Sequence, residues 1–531
     1  MMRILHVTWV DPADRAGRGG GMRVYVAALV AAQRGLPGVS VSTLATGLMH
    51  DLRPRQPRWQ RQREGHFELV NSACLAPSHA AFAAPAQLSD GPTEAAFADF
   101  LAQSGPYDIV HFHALEGLPA GVLALRARFP ATRFVLSLHN YHAFCPQVNL
   151  WQREQANCRD HDQGRACARC LPVTPQPHAV RTVYAIESWL ARLGTGPGTR
   201  LHRHLWLPLM QAGWRALKRL RRGQTGHARP EGKENALLQG RRGRIVDLIN
   251  RHCDLVLAVS ERTRRLALGF GVTSVTTCRI GTDHADCWAR SAPRNLPRAI
   301  SETAPLRLAY LGYMRRDKGF AFLLDALATL PPEHAARLHL TIAARAGPPQ
   351  MMAQLSVLKP RLAGLVWHDG YTRAGLDQLL TGIHCGIVPP LWEDNLPQVA
   401  LEMHCRHIPL LTSDLGGAQE LGGSAALTFR AGDCGSFHTL IARILSGQVD
   451  LRRYWANAQA PRDMSGHAQD MMTFYRGLHE SHHPYRDPEI RHLVDSGLSG
   501  NELRGAARTE GALRALQPAI RQPVRICHDR A

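Results

Sequence analysis

The chain has very little lysine and no long apolar run. The four lysines among its 531 residues are Lys218, Lys233, Lys318 and Lys359. Lysine and arginine together number 63, so arginine supplies nearly all of the positive charge, a bias typical of a GC-rich genome. No stretch of eighteen apolar residues occurs, which argues against a membrane-spanning helix. The apolar segment 2–10 is too short for a signal peptide, and we expect a cytoplasmic protein.

Acidic residues are scarce relative to basic ones. Asp and Glu number 43, and the formal net charge is +20. Such an imbalance favours an anionic partner, and nucleic acid, an anionic membrane surface and phosphorylated substrates all qualify. Because no base-reading module is recognisable, we do not expect nucleic acid to be the partner.

The length and the alternation of apolar runs with helical patterns indicate an α/β protein with more than one hydrophobic core. We predict two Rossmann-like, doubly wound domains that face each other across a cleft, 1–297 and 298–465. The first domain carries an insert at about 145–245. A helix at 466–483 is predicted to cross back to the first domain, and 484–531 is predicted to be a disordered basic tail.

One stretch combines a strand, an acidic loop and a helix. The apolar run Cys385–Val388 ends at two prolines, as a buried strand does. Asp394 or Asn395 is expected to cap the helix that follows, with Pro397 in its first turn, where a missing N–H has no cost. The backbone N–H groups there, including that of Leu396, would face outward at the positive end of the helix, which predicts a phosphate site.

Two acidic residues bracket this helix start. Asp394 and Glu402 are eight residues apart, at most ~12 Å along a helix. This span would let them hold the two ends of a sugar nucleotide whose diphosphate lies between them. The alternative is an ordinary helix cap followed by a solvated glutamate.

A second candidate phosphate site contains one of the rare lysines. Lys318 precedes Gly319, and the pair stands between an apolar strand that begins at Leu306 and a helical pattern. Because the chain uses arginine almost everywhere else, a lysine at this position indicates that a compact ammonium suits a diphosphate.

The first domain offers a glycine-rich loop and a histidine at the ends of strands. Gly20 and Gly21 precede the helical pattern 24–33, where glycine lets backbone amides approach a phosphate; a flexible connector is the alternative. His139 ends the apolar strand 133–139. Because ligands bind at the carboxyl edge of parallel sheets, His139 is either an active-site residue or a structural histidine.

These motifs resemble the acidic-x7-acidic signature, the Lys-Gly pair and the strand-end histidine of the retaining family 4 glycosyltransferases, also called glycosyl transferases group 1. The resemblance implies the two-domain GT-B fold. It also implies that the first acidic residue contacts the donor sugar, that Glu402 holds the nucleotide ribose and that Lys318 contacts the diphosphate. The family has glutamate where this chain has Asp394, and because Glu393 stands beside it, either residue could reach the sugar.

The same resemblance suggests further donor contacts. The family carries a second basic residue, an arginine, where this chain has Tyr313. Arg315 or Arg316 is expected to replace it. Tyr371 falls where the family contacts the nucleotide base.

The resemblance implies an enzyme that moves a hexose from a nucleotide-diphosphate sugar to a glycan or lipid-linked acceptor with retention, as in polysaccharide biosynthesis. His139, Asp394 and Lys318 are the expected catalytic residues. His139 would face the transferred sugar, and Gly20 and Gly21 would lie at the mouth of the cleft. No Asp-x-Asp motif stands at a strand end, so we expect basic groups and helix-end amides, rather than a metal, to stabilise the diphosphate.

Two other function classes stay open at this point. One is a different GT-B enzyme, such as a sugar-nucleotide epimerase or a phosphorylase. The other is a non-enzymatic basic scaffold that binds nucleic acid with steep salt dependence.

The predicted insert contains a cysteine cluster. Its members are Cys145, Cys158, Cys167 and Cys170, of which the last two form a C-x-x-C pair. They predict a structural zinc site, a redox-sensitive clip or four buried thiols without metal. A disulfide framework is not expected in a cytoplasmic chain.

The insert also contains a basic amphipathic pattern over 200–222. Such a helix either lies on an anionic membrane surface, which would suit a lipid-linked acceptor, or packs on its own domain. In the first case the protein would be peripheral at the inner face of the cytoplasmic membrane.

Overall fold

The computed structural model describes residues 1–78, 82, 84–158, 160–170, 177–213, 233–293, 296–297, 300–301 and 303–480. The predicted tail 484–531 lies outside these residues. So does the C-terminal half of the predicted basic helix, from 214 to 222. Both stay predictions.

The first half of the described chain contains ten strands. They are β1 (Met2–Thr8), β2 (Val39–Thr46), β3 (Arg58–Arg63), β4 (His66–Val70), β5 (Ile109–Phe112), β6 (Arg133–Leu138), β7 (Trp151–Gln152), β8 (Ala156–Asn157), β9 (Leu255–Ala258) and β10 (Thr276–Thr277). Eight of them form a sheet in the order β10-β9-β6-β5-β1-β2-β4-β3, parallel except for the pair β3 and β4. Strands β5 and β9 are wholly buried, as parallel strands covered on both faces are. β7 and β8 form a separate antiparallel hairpin.

The second half contains six strands in one parallel sheet. They are β11 (Leu306–Tyr313), β12 (Leu338–Arg345), β13 (Gly364–Asp369), β14 (Cys385–Val388), β15 (Leu410–Ser413) and β16 (Thr428–Phe429). Their order is β13-β12-β11-β14-β15-β16. The predicted strand that ends at two prolines is β14, and all four of its residues are buried.

Helices connect the strands. They are α1 (Gly20–Arg34), α2 (Gly91–Ser104), α3 (Arg165–Cys170), α4 (Pro177–Arg192), α5 (200–213, including the π-helical turn His202–Trp206), α6 (Lys233–His252), α7 (Glu261–Gly269), α8 (Ala285–Arg290), α9 (Phe320–Thr329), α10 (Pro332–Ala335), α11 (Pro349–Leu358), α12 (Leu376–Leu379), α13 (Gln398–His404), α14 (Cys434–Leu445) and α15 (Met464–Glu480). Short 3₁₀ helices occupy Pro85–Gln87, Ala120–Ala127, Asp162–Gly164, Lys359–Arg361, Ala418–Glu420, Ala425–Leu427 and Leu451–Ala456. Several helices begin at a side-chain cap: Asp90, Ser260 and Asp433 accept backbone N–H groups of α2, α7 and α14.

The first helix starts earlier than predicted. The pattern indicated 24–33, whereas α1 begins at Gly20. Gly19, which precedes it, has a φ of 83°, a backbone conformation that glycine adopts at no steric cost. Gly20 and Gly21 therefore form the first turn of the helix and not a loop.

Each sheet has a point where the strand order reverses. In the first sheet this point lies between β1 and β5, and in the second it lies between β11 and β14. The connections leave in opposite directions at such a point, so a crevice opens at the carboxyl ends of the two strands.

The chain divides into two compact units, Met1–Gln469 and Asp470–Ala531. The first unit contains both sheets. Of the second unit, the structure describes 470–480, the C-terminal part of α15. The predicted crossing of 466–483 to the first domain stays a prediction. None of the helices in the described part of the chain is long and apolar enough to span a membrane.

Candidate active site

A cleft of about 810 Å³ lies at the carboxyl edges of both sheets. Its wall contains residues that follow β1 and β6 in the first half, and β11, β13 and β14 in the second. The polar side chains that line it are those of Arg23, Tyr25, His139, Thr282, Asp283, His284, Tyr310, Tyr313, Lys318, Arg345, Tyr371, Arg373, Asp394, Asn395, Gln398 and Glu402. The cleft therefore brings together most of the predicted site residues from both halves.

Lys318 and Asp394 are paired in the cleft wall. The ammonium nitrogen Nζ of Lys318 donates to Asp394 Oδ2 over 2.6 Å and lies 5.0 Å from the centre of the Trp392 ring. The Lys318 side chain keeps 29% of its surface exposed, whereas that of Asp394 keeps 9%. Because an ammonium carries three N–H groups, the pair orients Lys318 and leaves donors for a ligand.

Two glycines allow the loops around this pair to touch through their backbones. Gly319 has a φ of 75°, and a Cβ there would lie 1.7 Å from the carbonyl oxygen of Pro389. Gly416 has a φ of 73°, and its Cβ would lie 2.1 Å from the carbonyl oxygen of Asp394. No side chain fits at either position. The loop after β11 therefore reaches the loop after β14, which carries Asp394.

Glu402 and Tyr371 form a second pair. The Tyr371 hydroxyl donates to Glu402 Oε2 over 2.6 Å, and His284 Nε2 lies 3.7 Å from Glu402 Oε1. Burial raises the pKa of Glu402 and, together with the Glu402 carboxyl, the pKa of Tyr371. Burial lowers the pKa of His284 to about 4, so this imidazole is neutral at pH 7. These contacts hold the side chain of Glu402, the second residue of the acidic pair, in place.

The helix between these pairs is capped differently from the prediction. Pro397 is the residue at the N-cap position of α13, and no side chain caps the helix. The prediction of a cap by Asp394 or Asn395 was wrong because both side chains have other partners. Asn395 Nδ2 donates to the carbonyl oxygen of Leu138, across the cleft from its own sheet, over 3.0 Å. Asn395 and Leu396 nevertheless line the cleft.

Glu393, the second acidic candidate for the donor sugar, is not among the residues that line the cleft. Arg262 of α7 donates two hydrogen bonds to its carboxylate, one of them from Nε to Oε2 over 2.9 Å. The backbone N–H of Gly416 donates to the same carboxylate over 3.0 Å. Glu393 therefore ties the second half of the chain to the first, and of the two neighbouring acidic residues it is Asp394 that faces the cleft.

Arg315 and Arg316 also lie outside the cleft wall. The guanidinium of Arg315 binds Asp317 through two hydrogen bonds of 2.9 Å each, and Arg316 is exposed. The prediction that one of them replaces the arginine missing at Tyr313 is therefore not supported by their position. The turn after β11 directs both side chains away.

Three arginines outside the sequence motifs line the cleft instead. Arg23 lies in the first turn of α1, Arg345 is the last residue of β12, and Arg373 follows Tyr371 by two positions. Arg373 also donates to the carbonyl oxygen of Asp283 over 2.7 Å. For Arg345 a signal was present, because a charge at the carboxyl end of a buried parallel strand points to a ligand crevice.

The first half contributes the two glycines and a neutral histidine. Gly20 and Gly21 line the cleft, and a Cβ on Gly21 would lie 3.1 Å from Cγ of Gln398 in the second half. His139 lies beside Tyr25, with 4.8 Å between the ring centres. Burial, together with the nearby His467, lowers the pKa of His139 to about 3. At neutral pH His139 is therefore an uncharged hydrogen-bonding group.

The cysteine cluster lies in a separate, small cavity of about 20 Å³. Its four thiols come from three segments: Cys145, Cys158 and the α3 pair Cys167 and Cys170. Cys170 Sγ accepts from Nε2 of Gln147 over 2.6 Å and from the backbone N–H of Arg153 over 3.3 Å. All four cysteines are described, and no three of their sulfurs lie within 4.8 Å of one another.

The described part of the basic helix presents apolar side chains to solvent. Leu201, Leu205 and Leu209 of α5 are spaced by four residues and are 47%, 46% and 54% exposed. Arg200 and Arg203 beside them are exposed as well. The described part of α5 therefore exposes both apolar and basic side chains.

A family model described as "Glycosyl transferases group 1" matches residues 305–447, which span the second sheet. No curated protein matches the chain in sequence.

Solved structures resemble the chain over 90% of its length. The N-terminal domain of the Candida albicans trehalose-6-phosphate phosphatase is 11% identical, is covered over 97% of its length and has a TM-score of 0.52. The lipopolysaccharide outer core galactosyltransferase WaaB is 12% identical, is covered over 99% and has a TM-score of 0.50. At such identities the likeness shows the fold alone. Residues 305–447 of this chain are thus similar to the glycosyl transferases group 1 family, and the chain has the GT-B fold.

Proposed function

We propose that the protein is a retaining hexosyltransferase that uses a nucleotide-diphosphate sugar. The observation that carries the proposal is that Lys318, Asp394 and Glu402 share one cleft wall, on both sides of the start of α13. This wall lies at the switch point of the second sheet, where open α/β sheets bind nucleotides.

The charge of the cleft suits a diphosphate. Lys318 and the three arginines Arg23, Arg345 and Arg373 line it. Among the acidic residues that line it, Asp394 is paired with Lys318 and Asp283 with Arg373. Fixed cations in a partly closed cleft stabilise the charge that develops on a leaving diphosphate. Transfer should therefore proceed without a divalent cation.

The two pairs suit the two ends of the donor. Asp394 would accept from a sugar hydroxyl while Lys318 reaches the adjacent phosphate. Glu402 would accept from the ribose hydroxyls, and Tyr371 would lie near the base. The two carboxylates lie in the same cleft wall on either side of the start of α13, as required for groups at opposite ends of a diphosphate.

The acceptor would enter from the first half, where His139 and the turn at Gly20 and Gly21 face the cleft. The bond between the anomeric carbon and the diphosphate oxygen breaks, and the acceptor oxygen bonds to the same face of that carbon. The hydroxyl proton passes to the departing diphosphate. One neighbour in fold is named as a lipopolysaccharide outer core galactosyltransferase, which favours a glycan or lipid-linked saccharide as acceptor.

The exposed face of α5 would hold the protein on an anionic membrane surface near such an acceptor. Leu201, Leu205 and Leu209 would enter the interface while Arg200 and Arg203 pair with acidic headgroups. Co-sedimentation with vesicles of anionic and of neutral lipid tests this. Binding to anionic vesicles that survives Leu205→Glu, Leu209→Glu would exclude α5 as the contact.

The cysteine cluster would hold a structural zinc. Four thiols around one cavity provide the ligand set of a closed zinc site, and the N–H groups that point at Cys170 Sγ suit a thiolate. The sulfurs would have to move inward to bind one ion, because no three lie within 4.8 Å of one another. Metal analysis of the purified protein should find about one zinc, lost in Cys167→Ser, Cys170→Ser; a zinc-free wild-type protein overturns this part.

The donor is tested by a thermal-shift screen of nucleotide sugars on the wild type, Lys318→Ala and Glu402→Ala. A nucleotide sugar at 100 times its Kd should stabilise the wild type by about 2.7 kcal/mol. Both variants should lose that stabilisation, whereas Lys359→Ala, at an exposed lysine of the second half, should keep it. Equal stabilisation of all four proteins would exclude this cleft as the donor site.

The reaction type is tested with the donor found in that screen. Proton NMR of the first-formed product should show the anomeric configuration of the donor, and EDTA should not reduce the rate. Inversion at the anomeric carbon, epimerised donor without acceptor, or phosphorolysis would each replace the proposed reaction with another.

A further inference from the structure

A chain of three histidines, two of them buried and the third, His139, half-buried, leads from the helix α1 to the cleft. His6 on β1 and His113 after β5 are fully buried, and His139 follows β6. These three strands are neighbours in the first sheet, in the order β6-β5-β1. The carboxyl ends of the strands therefore bring the three imidazoles side by side. The ring centres are 5.0 Å apart for His6 and His113, and 5.2 Å apart for His113 and His139.

The ring nitrogens of this chain meet at hydrogen-bond distances. His6 Nδ1 lies 2.8 Å from His113 Nε2, and His113 Nδ1 lies 3.1 Å from His139 Nε2. At the far end, His6 Nε2 lies 2.7 Å from Oε1 of Gln33, which is buried on α1. The three contacts use both nitrogens of His6 and both nitrogens of His113. One nitrogen of His139, Nδ1, is left over.

The imidazoles are neutral, and a neutral imidazole has one N–H donor and one acceptor nitrogen. Burial is the largest cause that lowers the pKa of His6 to about 4 and that of His139 to about 3, and it lowers the pKa of His113 well below its usual range. In such a chain each hydrogen bond determines the next, because a ring that accepts at one nitrogen must donate from the other.

We propose that Gln33 sets the tautomer of His139 through His6 and His113, so that His139 presents an unprotonated Nδ1 to the cleft. The Gln33 carbonyl oxygen can only accept, so the proton of His6 is on Nε2. His6 Nδ1 then accepts from His113 Nε2–H, and His113 Nδ1 accepts from His139 Nε2–H. The lone pair on His139 Nδ1 is what remains. No hydrogen bond to this nitrogen occurs among the described residues.

The orientation of the Gln33 amide determines the direction of every hydrogen bond in this chain. Its Nε2 is buried and has no hydrogen-bond partner among the described residues. Turning the amide over would make His6 Nε2 the acceptor and would reverse every proton position along the chain. His139 would then present Nδ1–H, a donor, to the cleft. Gln33 and the two histidines are therefore positioning residues that act on substrate through His139.

The consequence for binding rests on the proposed function. An unprotonated Nδ1 accepts a hydrogen bond and cannot give one, so it selects a sugar hydroxyl that donates. At one hydroxyl of the donor sugar, replacement by hydrogen and replacement by fluorine should cost the same, about tenfold in kcat/KM. A fluorine, which can accept only weakly and cannot donate, would be tolerated better than hydrogen if His139 were a donor.

A metal ion is the competing explanation for part of this cluster. The ligand nitrogens of His6, His111 and His113 lie within 4.8 Å of one another, and all three residues are buried. His111 Nε2, however, lies 2.7 Å from the Ser137 hydroxyl oxygen. A metal would have to take lone pairs that the hydrogen bonds of the chain already use, and it would uncouple His139 from Gln33.

The test is the ¹⁵N NMR spectrum of the full-length protein labelled at histidine, at pH 7.5, with His6→Asn, His113→Asn and His139→Asn to assign the signals. We expect His139 to show a protonated Nε2 and an unprotonated Nδ1. Gln33→Met should remove the acceptor at the end of the chain and move both His139 nitrogens toward the average of the two tautomers. The matched control Gln103→Met, at an exposed glutamine of α2, should leave the spectrum unchanged.

Three results would overturn the proposal. They are a protonated Nδ1 on wild-type His139, a single unchanged tautomer of His139 in Gln33→Met, and a shift of the His6 and His113 signals upon addition of one equivalent of Zn²⁺. The NMR result does not depend on turnover. If no sugar is transferred, the proposed function fails while the tautomer assignment stands or falls by itself.

Discussion

The two sheets bring different chemistry to the same cleft. At the edge of the first sheet the polar groups are mainly neutral, as the lowered pKa of His139 indicates. At the edge of the second they are paired and charged, as Lys318 with Asp394. A central parallel strand is buried on both faces and cannot hold an unpaired charge, whereas a loop at the sheet edge can hold an ion pair. The second half is thus suited to anions and the first to hydroxyls.

The largest effect should come from removing the ammonium of the second half. Lys318→Ala removes the cation next to the diphosphate and leaves the buried carboxylate of Asp394 unpaired. We expect kcat/KM to fall by roughly 10²- to 10³-fold, as for other fixed groups that stabilise a developing anion. Lys318→Arg should recover part of the loss, and steady-state kinetics with the donor measures it. A loss of kcat/KM below fivefold would contradict the proposed difference in charge between the two halves.

The neutral histidines of the first half predict acid sensitivity. The pKa of His6 falls from 6.5 in the unfolded chain to about 4 in the folded protein, so the unfolded chain binds more protons between these values. The contribution of His6 to the free energy of unfolding is therefore complete above pH 6.5. It falls by roughly 3 kcal/mol as the pH decreases toward 4.

Denaturant unfolding between pH 7 and pH 4.5 measures this dependence. His6→Asn should make the free energy of unfolding depend less on pH, whereas His178→Asn, at an exposed histidine of α4, should not. If His6→Asn leaves the pH dependence of the unfolding free energy unchanged, the first sheet tolerates a charged histidine at position 6.

Two carboxylates of the second half, one inside the cleft and one outside it, should differ in their effect on the donor. Glu402→Gln weakens the acceptor for the ribose. We expect the donor KM to rise about tenfold with little change in kcat, because about 1.4 kcal/mol of binding free energy is lost equally in the ground state and the transition state. Glu393→Gln should leave the donor KM within threefold and instead lower stability, because Arg262 loses its partner. Michaelis constants together with unfolding curves separate the two results, and a larger KM effect at Glu393 would reverse the assignment.

The smallest effect is expected where the sequence indicated a donor contact and the structure has none. Arg316→Ala should change the donor KM by less than twofold, because Arg316 is exposed outside the cleft. Arg345→Ala, in the cleft wall, should raise the donor KM several-fold, because a charge-assisted contact with the donor worth about 1 kcal/mol is lost. Nucleotide-binding titrations of the two variants at one salt concentration compare them directly.

The elements that sequence reasoning located well are those with a local signal. The strand Cys385–Val388 was predicted with its bounds because an apolar run and two prolines define it. The helix cap was predicted wrongly because the side chain of Asn395 bonds to Leu138, 257 positions earlier, which no local pattern shows. Arg315 and Arg316 were chosen for proximity in sequence to a lysine, but a turn after a strand directs neighbouring side chains to different sides.

The sequence by itself determined that the chain has alternating strands and helices and that Lys318, Asp394 and Glu402 stand at the ends of such elements. Periodicity, glycine and proline carry that information because they act within a few residues. Only the tertiary structure decided that Lys318 meets Asp394, 76 positions away, and that His6, His113 and His139 form one chain. Those contacts depend on strand order, which is set by packing between segments far apart in sequence.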